Sequence, residues 1–225
     1  MKTIVITGAS RGIGLASAKK FLTEGWRIIG TYLDTPVPLT DKNLSIIRFD
    51  QGDSKSIASA AKEIENMAPG IDAIVNCAGI ILDAHDTKAD LEKIRKTFEV
   101  DLFGIIDLTE RLLPRLRPGG HIVNIASSYG AFSLPIDDNS STGYRLVKAA
   151  LNMYTRILAF RLKDRGIVVS SLDPGWIKTD MGNDAATEIE KPDREPEEPA
   201  NDIYQLVTNV RKSGCFWRFG KEREW

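Results

Sequence analysis

Thr3-Ile4-Val5-Ile6-Thr7-Gly8-Ala9-Ser10-Arg11-Gly12-Ile13-Gly14 is the stretch on which the fold turns. Residues 3–6 form a short, apolar, β-branched run that predicts a buried strand. The run breaks at Thr7 into a glycine-rich turn. A helix is expected next, because Leu15, Ala18, Phe21 and Leu22 fall on one helical face. Strand, glycine turn and helix make the first part of a nucleotide-binding βαβ unit. In that unit Gly8 permits the tight turn, Gly12 lets backbone N–H groups approach a pyrophosphate, and Gly14 lets the helix pack close to the strand. The helix N-terminus then favours the phosphates. The spacing is Gly-x-x-x-Gly-x-Gly, not the commoner Gly-x-Gly-x-x-Gly. Ser10, Arg11 and Ile13 sit in the same turn and are cofactor-binding candidates with it.

Outward from this turn, strand and helix signals alternate. Strands are expected at 27–32, 44–49, 71–75, 121–126 and 167–172, with a closing strand at 215–219. Ile57, Ala60, Ala61 and Ile64 mark one helix between them. Further helices are expected at 91–100, 102–116, 146–162 and 203–210, the second stopped by Pro114 and Pro118-Gly119-Gly120. The alternation predicts the α/β class: a single domain, 1–225, with a doubly wound, Rossmann-like parallel sheet. Right-handed crossovers would align the strand ends at 7–8, 76–79, 126–128 and 173–175 along one edge. Small residues at one of these ends, Asn76-Cys77-Ala78-Gly79, suit a ligand lying against backbone. Asp50 and Gln51 end the third strand, either as an adenine contact or as a plain turn. Cys77 reads as an inert buried thiol and His85 as an exposed loop residue.

The second strand ends where an adenosine ribose would lie. An acid there selects NAD, and a nearby Arg accommodates the 2′-phosphate of NADP. Tyr32 and Leu33 hold the key places and Asp34 follows. Arg11 can reach a 2′-phosphate, so NADP is the expected cofactor, with NAD and Asp34 as the alternative.

Gly143-Tyr144-Arg145-Leu146-Val147-Lys148 begins the 146–162 helix. Residues four apart share a helix face, so a phenol and an ammonium become neighbours. The cation of Lys148 favours the phenolate and lowers the Tyr144 pKa, which suits an acid/base near neutral pH. Tyr144 starts near the sheet edge that also carries Ser127, so both can converge on a ligand above the cofactor.

Composition narrows the class. With 42% apolar and 27% charged residues the chain needs no disulfide staples to form a core. A net charge of −1 without a basic block argues against nucleic acid as a partner. No leader-like segment and no long apolar run is seen, which predicts a cytoplasmic protein away from the membrane. Cys77 and Cys215 form no metal or disulfide pattern, so no metal is expected. The polar, proline-containing 181–200 segment reads as a substrate loop after a strand end, together with 80–87 and 130–142.

These motifs resemble the short-chain dehydrogenases/reductases over essentially the whole chain. Thr7-Gly8-x-x-x-Gly12-Ile13-Gly14 resembles their cofactor turn, and Asn76-Cys77-Ala78-Gly79 their Asn-Asn-Ala-Gly segment. Ser127, Tyr144 and Lys148 match their catalytic residues. Pro174-Gly175-Trp176-Ile177-Lys178-Thr179 resembles their nicotinamide-side loop, adding Pro174, Gly175, Ile177 and Thr179 to the cofactor set. Parts of the 144–153 and 174–182 segments, and Trp225, are similar to the C-factor or sniffer-like carbonyl reductase subgroup. The resemblance implies hydride transfer between a nicotinamide and a carbonyl or alcohol substrate. Ser127 would bind the substrate oxygen and Tyr144 exchange its proton, while Lys148 binds ribose. It also implies a homodimer or homotetramer, consistent with apolar Phe103, Ile106, Met153 and Phe160 beyond a narrow stripe.

Two positions depart from that pattern. Asp101 stands where the family usually carries an Asn that kinks its helix and helps hold a water linking the Lys to solvent. Val147 replaces a commonly small polar residue. Asp101 therefore joins the catalytic candidates, with its carboxylate expected to pair with Lys148. It also supports a second hypothesis, a nucleotide-binding regulatory protein on the same scaffold.

Overall fold

Residues 1–136 and 138–225 are described by a computed structural model of the chain. β1 (Thr3–Ile6) is buried along its whole length, as its unbroken apolar run requires of a strand covered on both faces. It is flanked by β2 (Arg27–Tyr32) and β4 (Ile71–Asn76) in a sheet of order β3-β2-β1-β4-β5-β6-β7-β8. The other strands are β3 (Leu44–Arg48), β5 (Leu116–Ile125), β6 (Val168–Asp173), β7 (Cys215–Arg218) and β8 (Lys221–Arg223). Every pairing is parallel except β7 with β8. The strand order reverses between β1 and β4, which opens a crevice at their carboxyl ends.

Helices cover both faces. α1 (Gly12–Thr23) and α7 (Glu197–Asn209) pack on one side through Ala18, Phe21, Ile203, Leu206 and Val207. α2 (Ser54–Met67), α4 (Ile105–Leu112) and α5 (Thr142–Arg161) pack on the other through Ile57, Ile64, Leu108, Val147 and Leu151. α3 (Leu91–Phe98) lies against α5. Phe21 is fully buried, with the rings of Trp26 and Tyr204 edge-on at 5.1 and 5.3 Å. Burying a side chain of that size contributes about 1.5–3 kcal/mol. Asp53 caps α2 through Ser56 N, and Asp90 caps α3 through the N–H groups of Glu92 and Lys93.

The structure differs from the sequence expectation at several boundaries. The helix expected to start at Leu102 is preceded by a wide π-helical turn, Glu99–Gly104, which brings Asp101 into the interior. The helix expected to reach Leu116 ends at Leu112, and Leu113–Arg115 is a 3-10 turn around Pro114. Leu116 then already pairs with Ile71, and the strand bulges before resuming at His121 opposite Ala73. α7 begins at Glu197 rather than 203, because a proline in the first helical turn, here Pro199, forfeits no intrahelical bond. The closing strand is followed by β8, paired back on it at a tight turn through Phe219 and Gly220.

The 181–200 segment is also more structured than a free loop. α6 (Asp180–Asp184) is capped by Thr179. Arg194 returns to Trp176 and Lys178 through backbone hydrogen bonds, so the excursion between them closes at its base. No described helix is long and apolar enough to cross a membrane.

Candidate active site

A cavity of about 1050 Å³ runs along the carboxyl edge of the sheet. Its size lies at the upper end of the range for small-molecule and cofactor sites. One end is the turn between β1 and α1. Gly8 has φ +71°, and a side chain there would press on the backbone of Ala78 at 3.0 Å. A Cβ on Gly14 would overlap the carbonyl oxygen of Gly8, so the helix start is folded tightly onto the turn. Arg11 is the N-cap of α1 and makes no side-chain capping bond. The first-turn N–H groups of this twelve-residue helix therefore lack a side-chain cap, the usual state of an anion-binding helix start. A dinucleotide pyrophosphate fits this cradle.

Ser10, Arg11, Gly12 and Ile13 line this end, followed by Asp50 and Gln51, then Ala78 and Gly79. Pro174, Gly175, Ile177 and Thr179 form the facing wall. Three of the expected residues are engaged with the protein itself. The Gln51 amide is turned inward and donates to the carbonyls of Ala78 and Val100. Asn76 is off the cavity wall: its amide donates to Thr109 and to Asn124, tying β4 to β5 and α4. Its placement therefore gives it a sheet-holding part rather than a cofactor contact. Arg11 forms an exposed ion pair with Asp180 at 2.7 Å.

Ser127, Tyr144 and Lys148 meet at the other end. Ser127 sits just past β5, and its hydroxyl accepts from Tyr129 N at 3.1 Å. Tyr144 lies in the first turn of α5, with Lys148 Nζ 5.2 Å from its ring centre and the Tyr129 ring edge-on at 6.3 Å. Lys148 Nζ donates to Asp101 Oδ2 at 3.0 Å and to the carbonyl of Ile125 at 3.2 Å. Asp101 is fully buried behind Lys148, away from the cavity surface, and its Oδ1 accepts from Ile80 N. The three expected loops contribute Ile80, Ile81, Ser140, Met181 and Glu190 to the walls. Asp137, within the 130–142 loop, lies outside the described residues.

Residues 2–190 match the family described as short chain dehydrogenase. The chain belongs to the short-chain dehydrogenase family. It is 32% identical over 213 residues to dehydrogenase/reductase SDR family member 7B of Danio rerio, a match covering 83% of this chain and 64% of that protein. The chain thus spans less than two thirds of that relative's length. It is 29% identical over 229 residues to the 3-oxoacyl-acyl-carrier-protein reductase FabG of Aquifex aeolicus, covering 93% and 91% of the two chains. The crystal structure of NADPH-bound carbonyl reductase from chicken fatty liver superposes with a TM-score of 0.86 at 25% identity, covering 100% of this chain and 94% of the other.

Within this short-chain dehydrogenase, charge at the Tyr144 end differs from the simple phenol–ammonium pair expected from sequence. Burial raises the Tyr144 pKa, and Asp101 and Asp173 add to the rise. The Lys148 cation and the Ser127 hydroxyl pull the other way without cancelling it. The expected lowering by Lys148 is thus present but outweighed. Burial opposes charge on Lys148, yet the negative Asp101 holds the ammonium above its ordinary pKa. Asp101 is itself pushed up by burial, against the pull of Lys148 and Ile80 N. Cys77 lies on the cavity wall, and burial pushes its thiol up to about 12, which keeps it protonated and unreactive.

Two residues acquire places that sequence patterns did not reveal. His85 is an exposed loop residue, as expected, but it also lines the cavity and donates from Nε2 to the carbonyl of Asp184 at 2.8 Å. Asp83 is buried beside the start of α5. Its partner is 60 residues away, so no local spacing could have marked it.

Proposed function

We propose that this chain is an oxidoreductase that transfers a hydride between NADP(H) and a carbonyl or alcohol carbon. The observation that carries this reading is the meeting of Ser127, Tyr144 and Lys148 at one end of a cavity whose other end is a phosphate-type helix cradle. Bound there, the nicotinamide supplies or accepts the hydride. The chain's own residues do the rest. Ser127 donates a hydrogen bond to the substrate oxygen. Tyr144 gives its phenolic proton to that oxygen in reduction and takes it back in oxidation. Lys148 holds the cofactor ribose and supplies positive charge beside the phenol. The raised Tyr144 pKa keeps the phenol protonated at neutral pH, the form that reduction requires.

Arg11 supports NADP over NAD, and the NADPH named with the chicken carbonyl reductase points the same way. The resemblance of the 144–153 and 174–182 segments to C-factor or sniffer-like carbonyl reductases is the narrower reading. The reductase and dehydrogenase names of the relatives favour an enzyme over a regulatory scaffold. A panel of aldehydes, ketones and alcohols, followed by NADPH and NADH absorbance, tests the proposal. Turnover that vanishes in Tyr144→Phe while NADPH still binds is the expected result. Full activity in Tyr144→Phe would leave only the nucleotide-binding scaffold.

A further inference from the structure

The helix that carries Tyr144 begins without a cap of its own. Its N-cap residue, Ser141, makes no side-chain capping bond. Ser141 also holds φ 59°, a left-handed backbone that residues other than glycine disfavour. The loop after β4 keeps it there. Ser141 N donates to the carbonyl of Asp83 at 3.1 Å, and Ser141 Oγ donates to the carbonyl of Ala84 at 3.3 Å.

The same loop supplies the missing cap. Gly143 N donates to Asp83 Oδ2 at 2.5 Å, the bond that a local Ser or Asp at the N-cap ordinarily accepts. Gly143 is part of the fit, because a Cβ there would lie 3.0 Å from Ile94 and 3.1 Å from Asp83 Oδ2. Asp83 is only 3% exposed, and its Oδ1 has no hydrogen-bond partner among the described residues. A buried carboxylate with one idle oxygen is costly. A helix N-terminus is one place where its charge is favoured.

We propose that Asp83 is a positioning residue for the active site, one that sets where the Tyr144 helix begins and so where the phenol points. It touches no reacting atom and acts through Gly143, the residue before Tyr144. Ile80, Ile81, Ala84 and His85 of the same loop line the cavity. Asp83 therefore fixes the cavity wall and the phenol to each other. A misplacement of about 1 Å is enough to slow an enzyme roughly 100-fold.

The inference rests on Tyr144 being the acid/base. Its test compares Asp83→Ala and Asp83→Asn in the full chain. Asp83→Ala should lower kcat roughly 10- to 100-fold and leave the NADPH dissociation constant unchanged. Asp83→Asn, which still offers an acceptor to Gly143 N, should recover most of kcat with the same pH profile. Asp83→Ala with wild-type kcat and only a lower melting temperature would overturn the proposal, as would an Asn variant as slow as the Ala variant. If Asp83→Ala does not fold, Gly143→Ala displaces the carboxylate while keeping it, and unchanged kcat there is equally fatal. Absence of any wild-type turnover would defeat the oxidoreductase reading itself. Amide exchange at residues 142–146 still decides about Asp83 in that case. Faster exchange in Asp83→Ala is expected, and unchanged exchange rejects it.

Discussion

Lys148 and Asp101 form a buried ion pair, Nζ to Oδ2 at 3.0 Å, beside the ring of Tyr144. The pair uses one Lys148 donor and Ile125 O takes another. Asp101 also places a negative charge close enough to raise the Tyr144 pKa. Oxidation of an alcohol needs the phenolate, so its rate should climb only on the alkaline side. Asp101→Asn removes that charge and should move the alkaline-going limb to lower pH, with faster oxidation at neutral pH. A pH–rate profile for kcat/KM in both proteins reads this directly. An unmoved limb would mean that the carboxylate is already neutralised by its partner. A limb moved upward would mean that Lys148 loses its own proton once Asp101 is gone, as burial alone would favour.

Cofactor choice turns on a second pair. Arg11 and Asp180 meet at 2.7 Å, but their side chains are 73% and 66% exposed. Such a pair contributes about 0–1 kcal/mol. A phosphate can form a charge-assisted, bidentate contact with a guanidinium and should displace the carboxylate. NADPH is expected to bind more tightly than NADH. Arg11→Ala should narrow the gap and Asp180→Asn should widen it, both by titration calorimetry. Equal affinities would set the Arg11 argument aside. Tighter NADH would turn attention to Asp34, which lies 4.0 Å from Arg48 near the end of β2.

How far the sequence could be read follows from the range of each interaction. Strand β1, its glycine turn and α1 are local, so periodicity and turn chemistry located them. The 144/148 spacing placed phenol and ammonium together for the same reason. The break at Asp101 was visible, but not that a π-helical turn would bury its carboxylate. The Tyr144 pKa depends on burial and on Asp173, more than twenty residues later in the chain. Asp83 on Gly143, and His85 on Asp184, are contacts from the loop after β4 to helices distant in sequence, for which a single chain gives no local signal. Ile106, expected to help form an outer apolar face, is partly buried against the core instead.

The outer face of α5 remains apolar. Leu146, Met153, Ile157 and Phe160 recur at helical spacing and are 51%, 48%, 50% and 82% exposed, with Phe103 of the neighbouring turn at 51%. A stripe of this kind on a charged surface suits burial against a second subunit. The expected state is a dimer or tetramer. Phe160→Glu with Met153→Glu should shift it to monomer in light scattering and leave the cofactor affinity unchanged. A wild-type monomer mass at micromolar concentration would remove the basis for this reading.

Acid should unfold the protein through His121. This residue lies on β5, 2% exposed, with Nε2 hydrogen-bonded to Ser170 Oγ at 2.9 Å and Nδ1 unpartnered among the described residues. Burial lowers its pKa from 6.5 to about 3, and the positive charge of Arg211 adds to the fall. The unfolded chain therefore binds a proton below about 6.5 that the folded chain refuses until about 3. Stability is fully present above the upper value and is lost as pH falls toward the lower one. Across the whole window the loss is on the order of 5 kcal/mol, comparable with the total stability of a marginal domain. Urea midpoints measured from pH 7 downward should fall steeply in the wild type. His121→Gln has no ionisable group to carry this slope and should show a flatter profile. An identical slope in both proteins would place the acid sensitivity elsewhere, with Glu110, whose pKa the Arg161 guanidinium lowers, the next group to examine.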